Sequence, residues 1–169
     1  GTGKTFLIQK ISEFIPDLIV ISRDKIRSKV LINPSYSSEE KNQIASIMLF
    51  MVEQHMKSKG SIVIDGMTFP TKESCKPFMY AAIKHNIQFR IIECYCSEET
   101  SLKRIETDII EKGNMPADTD EDLYYHVKEI FEPITDFHLK INTDEDTTKN
   151  VEKIINYLSA KIMVFNNAD

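Results

Sequence analysis

The sequence has no tryptophan, only five glycines and only three cysteines. No apolar run approaches the ~18 residues a membrane-spanning helix needs, so no such span is predicted. The cysteines (Cys75, Cys94, Cys96) are odd in number and lack zinc-ligand spacing, which excludes a disulfide scaffold and a thiolate metal site. They read as reduced packing thiols of a cytoplasmic protein. The four histidines (His55, His85, His126, His138) are scattered and form no ligand cluster. Positive charge is also short. There are 21 lysines and arginines against 26 acidic residues, a net charge of −5. That balance excludes a broad surface for coating nucleic acid and leaves room for a narrow basic channel holding a few phosphates. There is no internal repeat, low-complexity stretch or interdomain linker.

What is present is a regular alternation. The 169 residues, 41% of them hydrophobic, suit one domain with a real core. Short runs rich in β-branched residues predict strands over 17–22, 61–65, 89–95 and 137–142. Helices are predicted after residue 5 and over 39–59, 71–86, 97–112, 120–131 and 147–162, with 24–31 a loop or short helix. Ser37-Ser38-Glu39-Glu40 reads as the cap of the longest helix. Strands separated by helices predict an α/β fold with a parallel sheet covered on both faces. A fifth, central strand is expected ahead of Gly1, which makes a fragment of a longer product the expectation.

The first five residues, Gly1-Thr2-Gly3-Lys4-Thr5, end a phosphate-binding loop of the form G-x-x-x-x-G-K-S/T, without its first glycine. The residue types follow from phosphate chemistry. Glycines let backbone N–H groups close on an anion, the lysine reaches β/γ oxygens, and the hydroxyl sits on Mg²⁺. The helix that follows aims its positive end at the same anion. ATP and Mg²⁺ are therefore the expected cofactors, bound by Gly1, Thr2, Gly3, Lys4 and Thr5, with Thr5 at the metal.

In parallel α/β sheets, ligands collect beyond the carboxyl ends of strands. Lys4, Asp24, Arg27 and Asp65 all fall there. Asp24 suits a general base for an incoming hydroxyl, and Arg27 a fork for an anionic acceptor. The competing reading makes Ser22-Arg23-Asp24-Lys25 a solvated loop with a cap. Asp65 either orients Arg27, helps order the Mg²⁺ shell, or simply opens the turn Asp65-Gly66.

Gly1-Thr2-Gly3-Lys4-Thr5, Ile21-Ser22-Arg23-Asp24-Lys25-Ile26-Arg27 and Val63-Ile64-Asp65 together resemble the 5′-hydroxyl polynucleotide kinase family, over nearly the whole chain. The resemblance implies a single P-loop kinase domain over 1–169 with a helical lid over about 98–130. It implies catalysis by Asp24, Lys4 and Arg104, with Asp24 the base on a 5′-OH. It makes Arg27 the grip on the acceptor's phosphate and Asp65 the support of Arg27. Arg104 matches the family's first lid arginine. Asp108 stands where the second is expected, so Lys112 is assigned to replace it on the nucleotide. A Thr-Asn pair common after the strand-end Asp is here Gly66-Met67-Thr68-Phe69-Pro70. Asn142-Thr143-Asp144 is expected near the nucleotide base. The acceptor reads as a 5′-OH nucleic-acid end in a repair setting. The alternatives are a sugar, nucleoside or antibiotic hydroxyl on the same scaffold, a nucleotide-binding ATPase module, or an inactive fragment.

Overall fold

The computed structural model describes residues 1–58, 60–112 and 120–160, Lys112 by its backbone alone. In chain order the elements are α1 (Lys4–Ser12), β1 (Ile19–Ser22), α2 (Arg23–Val30), α3 (Ser38–Met56), β2 (Ile62–Asp65), α4 (Lys72–Lys84), β3 (Ile92–Tyr95), α5 (Glu98–Lys112), α6 (Glu121–Ile130), β4 (Leu139–Asn142) and α7 (Thr147–Ser159). The α/β alternation is as the sequence predicts. Residues 24–31, open between loop and helix, fold as α2, which begins directly where β1 ends.

All strand pairing among the described residues is parallel. β1 runs beside β2 in a register from Ile19↔Ile62 to Ser22↔Asp65. β3 runs beside β4 from Ile92↔Leu139 to Tyr95↔Asn142. Among the described residues the two pairs share no ladder hydrogen bond.

Each pair has its own core. Against β1 and β2 pack α3 and α4, burying Ile21, Ile44, Met48, Val52, Phe78 and Ala81 among others. Ile44, Met48, Val52 and Met56 recur every four residues, one stripe of a helix. Ser37 caps α3 by accepting from the Glu40 N–H at 3.2 Å. Against β3 and β4 pack α1 and α7, around Leu7, Ile11, Ile141, Val151 and Ile154. Asn150 of α7, itself buried, donates to the Asn142 carbonyl at 2.8 Å and ties that helix to the end of β4.

The expected lid region contains α5 and α6. They are clasped where Tyr125 donates to Glu98 at 3.1 Å and Lys128 pairs with the same carboxylate. No helix among the described residues is long and apolar enough to cross a membrane.

Candidate active site

The loop Gly1–Thr5 lies where the two strand pairs meet. Gly3 has φ 77° and directly precedes α1. A Cβ there would stand 3.3 Å from Arg104 Nη1 and 3.4 Å from Thr143 Oγ1. The left-handed backbone favours glycine here, and the close approach of Arg104 and Thr143 adds to it. Lys4 opens α1, and its ammonium donates to Thr2 Oγ1 at 3.0 Å. Burial pushes the Lys4 ammonium below its ordinary pKa, only partly offset by Cys94 and Asp65 nearby. A cation removed from water with so little counter-charge favours an incoming anion.

Thr5 donates from Oγ1 to Asp65 Oδ1 at 2.8 Å, and the Gly66 N–H donates to the same oxygen at 2.8 Å. Asp65 is buried at the end of β2. A hydroxyl and a carboxylate at this spacing are hard oxygen ligands of the kind Mg²⁺ takes alongside phosphate oxygens. No cluster of three His, Cys, Asp or Glu side chains able to hold a metal exists among the described residues. A metal here would accordingly depend on the nucleotide's own oxygens. The donor set fits MgATP: a desolvated lysine, a glycine cradle and the Thr5–Asp65 oxygen pair.

The register Ser22↔Asp65 brings the start of α2 beside the end of β2. Asp24 sits in the first turn of α2, where the helix dipole favours a carboxylate. It accepts from Arg27 Nη1 at 3.1 Å and from Arg23 Nε at 3.3 Å, and its side chain is 66% exposed. Gly66, with φ 78°, turns the chain so tightly here that a Cβ would stand 3.4 Å from Asp24 Oδ2. Asp24 thus lies one residue away from the Thr5–Asp65 pair, with its carboxylate open to solvent.

Arg27 is only 3% exposed. Its Nε donates to Glu40 Oε1 at 2.9 Å, and its guanidinium lies 4.6 Å from the Tyr36 ring centroid. The other Glu40 oxygen accepts from the Ser35 N–H, from Ser35 Oγ at 3.0 Å and from the Tyr36 N–H at 3.1 Å. Burial alone would raise the Glu40 carboxyl, but the donors from Ser35, Tyr36 and Arg27 outweigh it and hold the carboxyl below the usual carboxylate range. The resemblance pairs Asp65 with Arg27. Here Asp65 accepts from Thr5 and Gly66, and the partners of Arg27 include Asp24 and Glu40.

Arg104 reaches from α5 to the loop after β4. Nη1 donates to Thr143 Oγ1 at 2.9 Å and Nη2 to the Thr143 carbonyl at 3.0 Å, with Gly1 O at 3.4 Å from Nη1. Thr143 Oγ1 in turn donates to the Thr2 carbonyl at 3.2 Å. The arginine and Asn142-Thr143-Asp144 are thereby fastened to the phosphate loop. The side chain of Lys112 lies outside the described residues.

Sequence reasoning brought Gly1–Thr5, Asp24, Arg27 and Asp65 to one place and missed Glu40. The cap Ser37-Ser38-Glu39-Glu40 was legible. Nothing in it signalled that the last member turns back 13 residues to a buried arginine.

Parallel strands alternating with helices, with a phosphate loop opening α1, define the fold of P-loop kinases. Residues 1–124 match the AAA-domain family model, and the chain belongs to that family. No curated protein matches the chain by sequence. Among solved structures, it is similar to the Mycobacterium tuberculosis APS kinase CysC in complex with AMPPNP and APS, with a TM-score of 0.72 and 12% identity over 95% of this chain and 92% of that one. It is similar to a sugar kinase from a Janibacter species, with a TM-score of 0.67 and 10% identity over 94% and 88%. It is also similar to the Deinococcus radiodurans tunicamycin resistance protein, with a TM-score of 0.60 and 14% identity over 92% and 91%. At these identities the likeness is one of fold.

Proposed function

We propose that the chain is an ATP-dependent phosphotransferase that moves the γ-phosphoryl group to an alcohol hydroxyl, with a small molecule such as a sugar or nucleoside as the acceptor. The observation that carries this reading is the open Asp24 carboxylate beside Gly66, next to the Thr5–Asp65 hydrogen bond of 2.8 Å. Phosphoryl transfer asks the protein for positioning and charge neutralisation more than for covalent chemistry. Bound MgATP supplies the phosphoryl group and its own counter-charge. Gly1, Thr2 and Gly3 present backbone donors to the phosphates. Lys4 regains a full counter-ion when they arrive. Thr5 and Asp65 hold the metal side, Arg104 holds the nucleotide side, and Asp24 accepts the acceptor's hydroxyl proton at a carboxylate oxygen. Lys112 is assigned to the nucleotide as a second cation from the lid.

The small-molecule acceptor is supported by the net charge of −5 and by the sugar kinase among its structural relatives. A second reading, transfer to the 5′-OH of a nucleic-acid end, is favoured by Asp24 and Arg27 lying on one turn of α2, the spacing that carries the resemblance. The test is incubation with γ-labelled ATP and Mg²⁺ in parallel arms of sugars, nucleosides, a 5′-OH oligonucleotide and its 5′-phosphorylated control. Label on a sugar or nucleoside supports the first reading, and label on the 5′-OH strand alone supports the second. ATP turnover with no labelled acceptor in any arm would reject both and leave an ATPase module.

A further inference from the structure

The acceptor side holds an ion chain of which the phosphoryl transfer itself uses only Asp24. Glu40, on α3, bonds Arg27 Nε at 2.9 Å, and Arg27 Nη1 bonds Asp24 Oδ1 at 3.1 Å. Two members are buried, Arg27 at 3% and Glu40 at 8% side-chain exposure, while Asp24 is 66% exposed. The chain thus runs from the core outward and ends at the one carboxylate that meets solvent. Glu40 is itself over-determined, with three further donors from Ser35 and Tyr36. Tyr36 has φ 56°, and its N–H and that of Ser35 converge on one Glu40 oxygen. A buried arginine held by two carboxylates and covered by a tyrosine ring presents almost no surface to a ligand.

We propose that Glu40 is a positioning residue, fixing Arg27 so that Arg27 fixes Asp24, and that the acceptor is recognised without a phosphate of its own. This rests on the phosphotransferase reading for its second half. Its first half concerns only the folded chain. One buried carboxylate, Glu40, and one exposed carboxylate, Asp24, already compensate the guanidinium charge, so a second anion would compete with both for it. An uncharged hydroxyl compound meets Asp24 with no such competition. The guanidinium is planar, so fixing Nε on Glu40 also fixes the direction in which Nη1 presents itself to Asp24.

The experiment has two arms on the full chain. The first follows the Arg27 side-chain Nε–H by ¹⁵N NMR, assigned with Arg27→Lys, in wild type, Glu40→Gln, Glu40→Asp and Ser35→Ala. A slow-exchanging signal in wild type and Ser35→Ala, lost in Glu40→Gln and partly restored in Glu40→Asp, is expected. An Nε–H that exchanges equally fast in wild type and Glu40→Gln overturns the positioning role, whether or not the protein is a kinase.

The second arm compares a nucleoside or sugar acceptor with its phosphorylated analogue bearing a free hydroxyl. Glu40→Gln is expected to lower kcat about 10–100-fold, the scale of a displaced reacting group, with the acceptor KM within about three-fold. Ser35→Ala removes one donor to Glu40 and no bond to Arg27, and leaves kcat within about two-fold on the same argument. Preference for the phosphorylated acceptor by more than about ten-fold, abolished in Arg27→Gln, overturns the acceptor class. Absence of transfer to any hydroxyl rejects the phosphotransferase reading and with it the acceptor class. The NMR arm still decides the role of Glu40.

Discussion

The two strand pairs carry the two sides of the candidate site, and they are finished to different degrees. The β1–β2 pair, with α2, α3 and α4, has the larger core and supplies Asp24, Arg27 and Glu40. There the cation already stands between two carboxylates. The β3–β4 pair, with α1 and α7, has the smaller core and bears Thr143 at its end. On that side stands Lys4, whose ammonium is desolvated and whose side-chain hydrogen bond goes to a neutral hydroxyl, Thr2 Oγ1. On the proposed reading, the first side is a prebuilt acceptor wall and the second a phosphate side that awaits its anion. Catalysis by positioning requires the former, and differential binding of an anion requires the latter.

The sharpest way to break this contrast is at the acceptor wall. Asp24→Asn keeps the shape and removes the base, so acceptor phosphorylation is expected to fall roughly 10²–10⁴-fold. ATP affinity, measured by titration, is expected to stay within about two-fold, since the loop Gly1–Thr5 is untouched. Equal loss of both would mean that Asp24 belongs to the nucleotide side. Next in size is Lys4→Met, which removes a cation from the phosphates and is expected to lower turnover about 10²–10³-fold. The same variant should gain stability in the absence of nucleotide. A lysine whose folded pKa lies below its unfolded value penalises the folded state at neutral pH, and the penalty disappears only as pH rises above the unfolded value. A raised melting temperature at pH 7 is the expected sign. A lower one would mean that the Lys4 side chain holds the apo fold together.

The cores offer a third comparison. Met48 and Ile154 are both fully buried, one in each cluster. Truncating either to alanine should cost about 2–5 kcal/mol. The distribution of the damage should differ. With no ladder hydrogen bond between the strand pairs, Ile154→Ala is expected to speed amide exchange at Ile141 and Asn142 while Ile21 and Ile64 keep their protection. Uniform loss across all four strands would mean that the two cores unfold as one unit. A smaller effect is expected at the turn that follows β2. Gly66→Ala forces a left-handed residue and brings a Cβ to 3.1 Å from Arg23 Cβ and 3.4 Å from Asp24 Oδ2. The backbone term is about 1–2 kcal/mol, and the change in kcat should exceed any change in ATP affinity.

Much of this was legible in the residues, for reasons that also mark the boundary. Local signals sufficed for the elements. The runs at 19–22, 62–65, 92–95 and 139–142 are short and rich in β-branched or large apolar residues, and each is followed by a helix start or a turn. The phosphate loop was legible because its chemistry needs a contiguous stretch. Convergence of Lys4, Asp24 and Asp65 followed from the rule that parallel strands release ligands at one edge. Pairing across the sequence was not legible. Asp65 lies beside Thr5 because of strand order, 60 residues apart. Glu40 meets Arg27 across 13 residues and a left-handed Tyr36, which a tyrosine does not announce. Thr143 bonds Arg104 across 39 residues, and its role as an anchor of the phosphate loop could be guessed only from its position after β4.

The smallest effect tests the acceptor wall without touching activity. The Glu40 carboxyl is held below its ordinary value in the folded chain, because the donors from Ser35, Tyr36 and Arg27 outweigh the cost of burial. Its ionised form therefore stabilises the fold above the unfolded value, near pH ~4.3 for a glutamate. That contribution is lost as pH falls through the depressed folded value. Wild type should show a melting temperature that drops along this acid limb. In Glu40→Gln the side chain no longer titrates, so the variant should start lower at pH 6 and fall less steeply below pH ~4.3. An acid limb of equal steepness in both would mean that the bonds to Ser35, Tyr36 and Arg27 persist in the unfolded chain or do not form. In either case the wall could not be what orders Asp24.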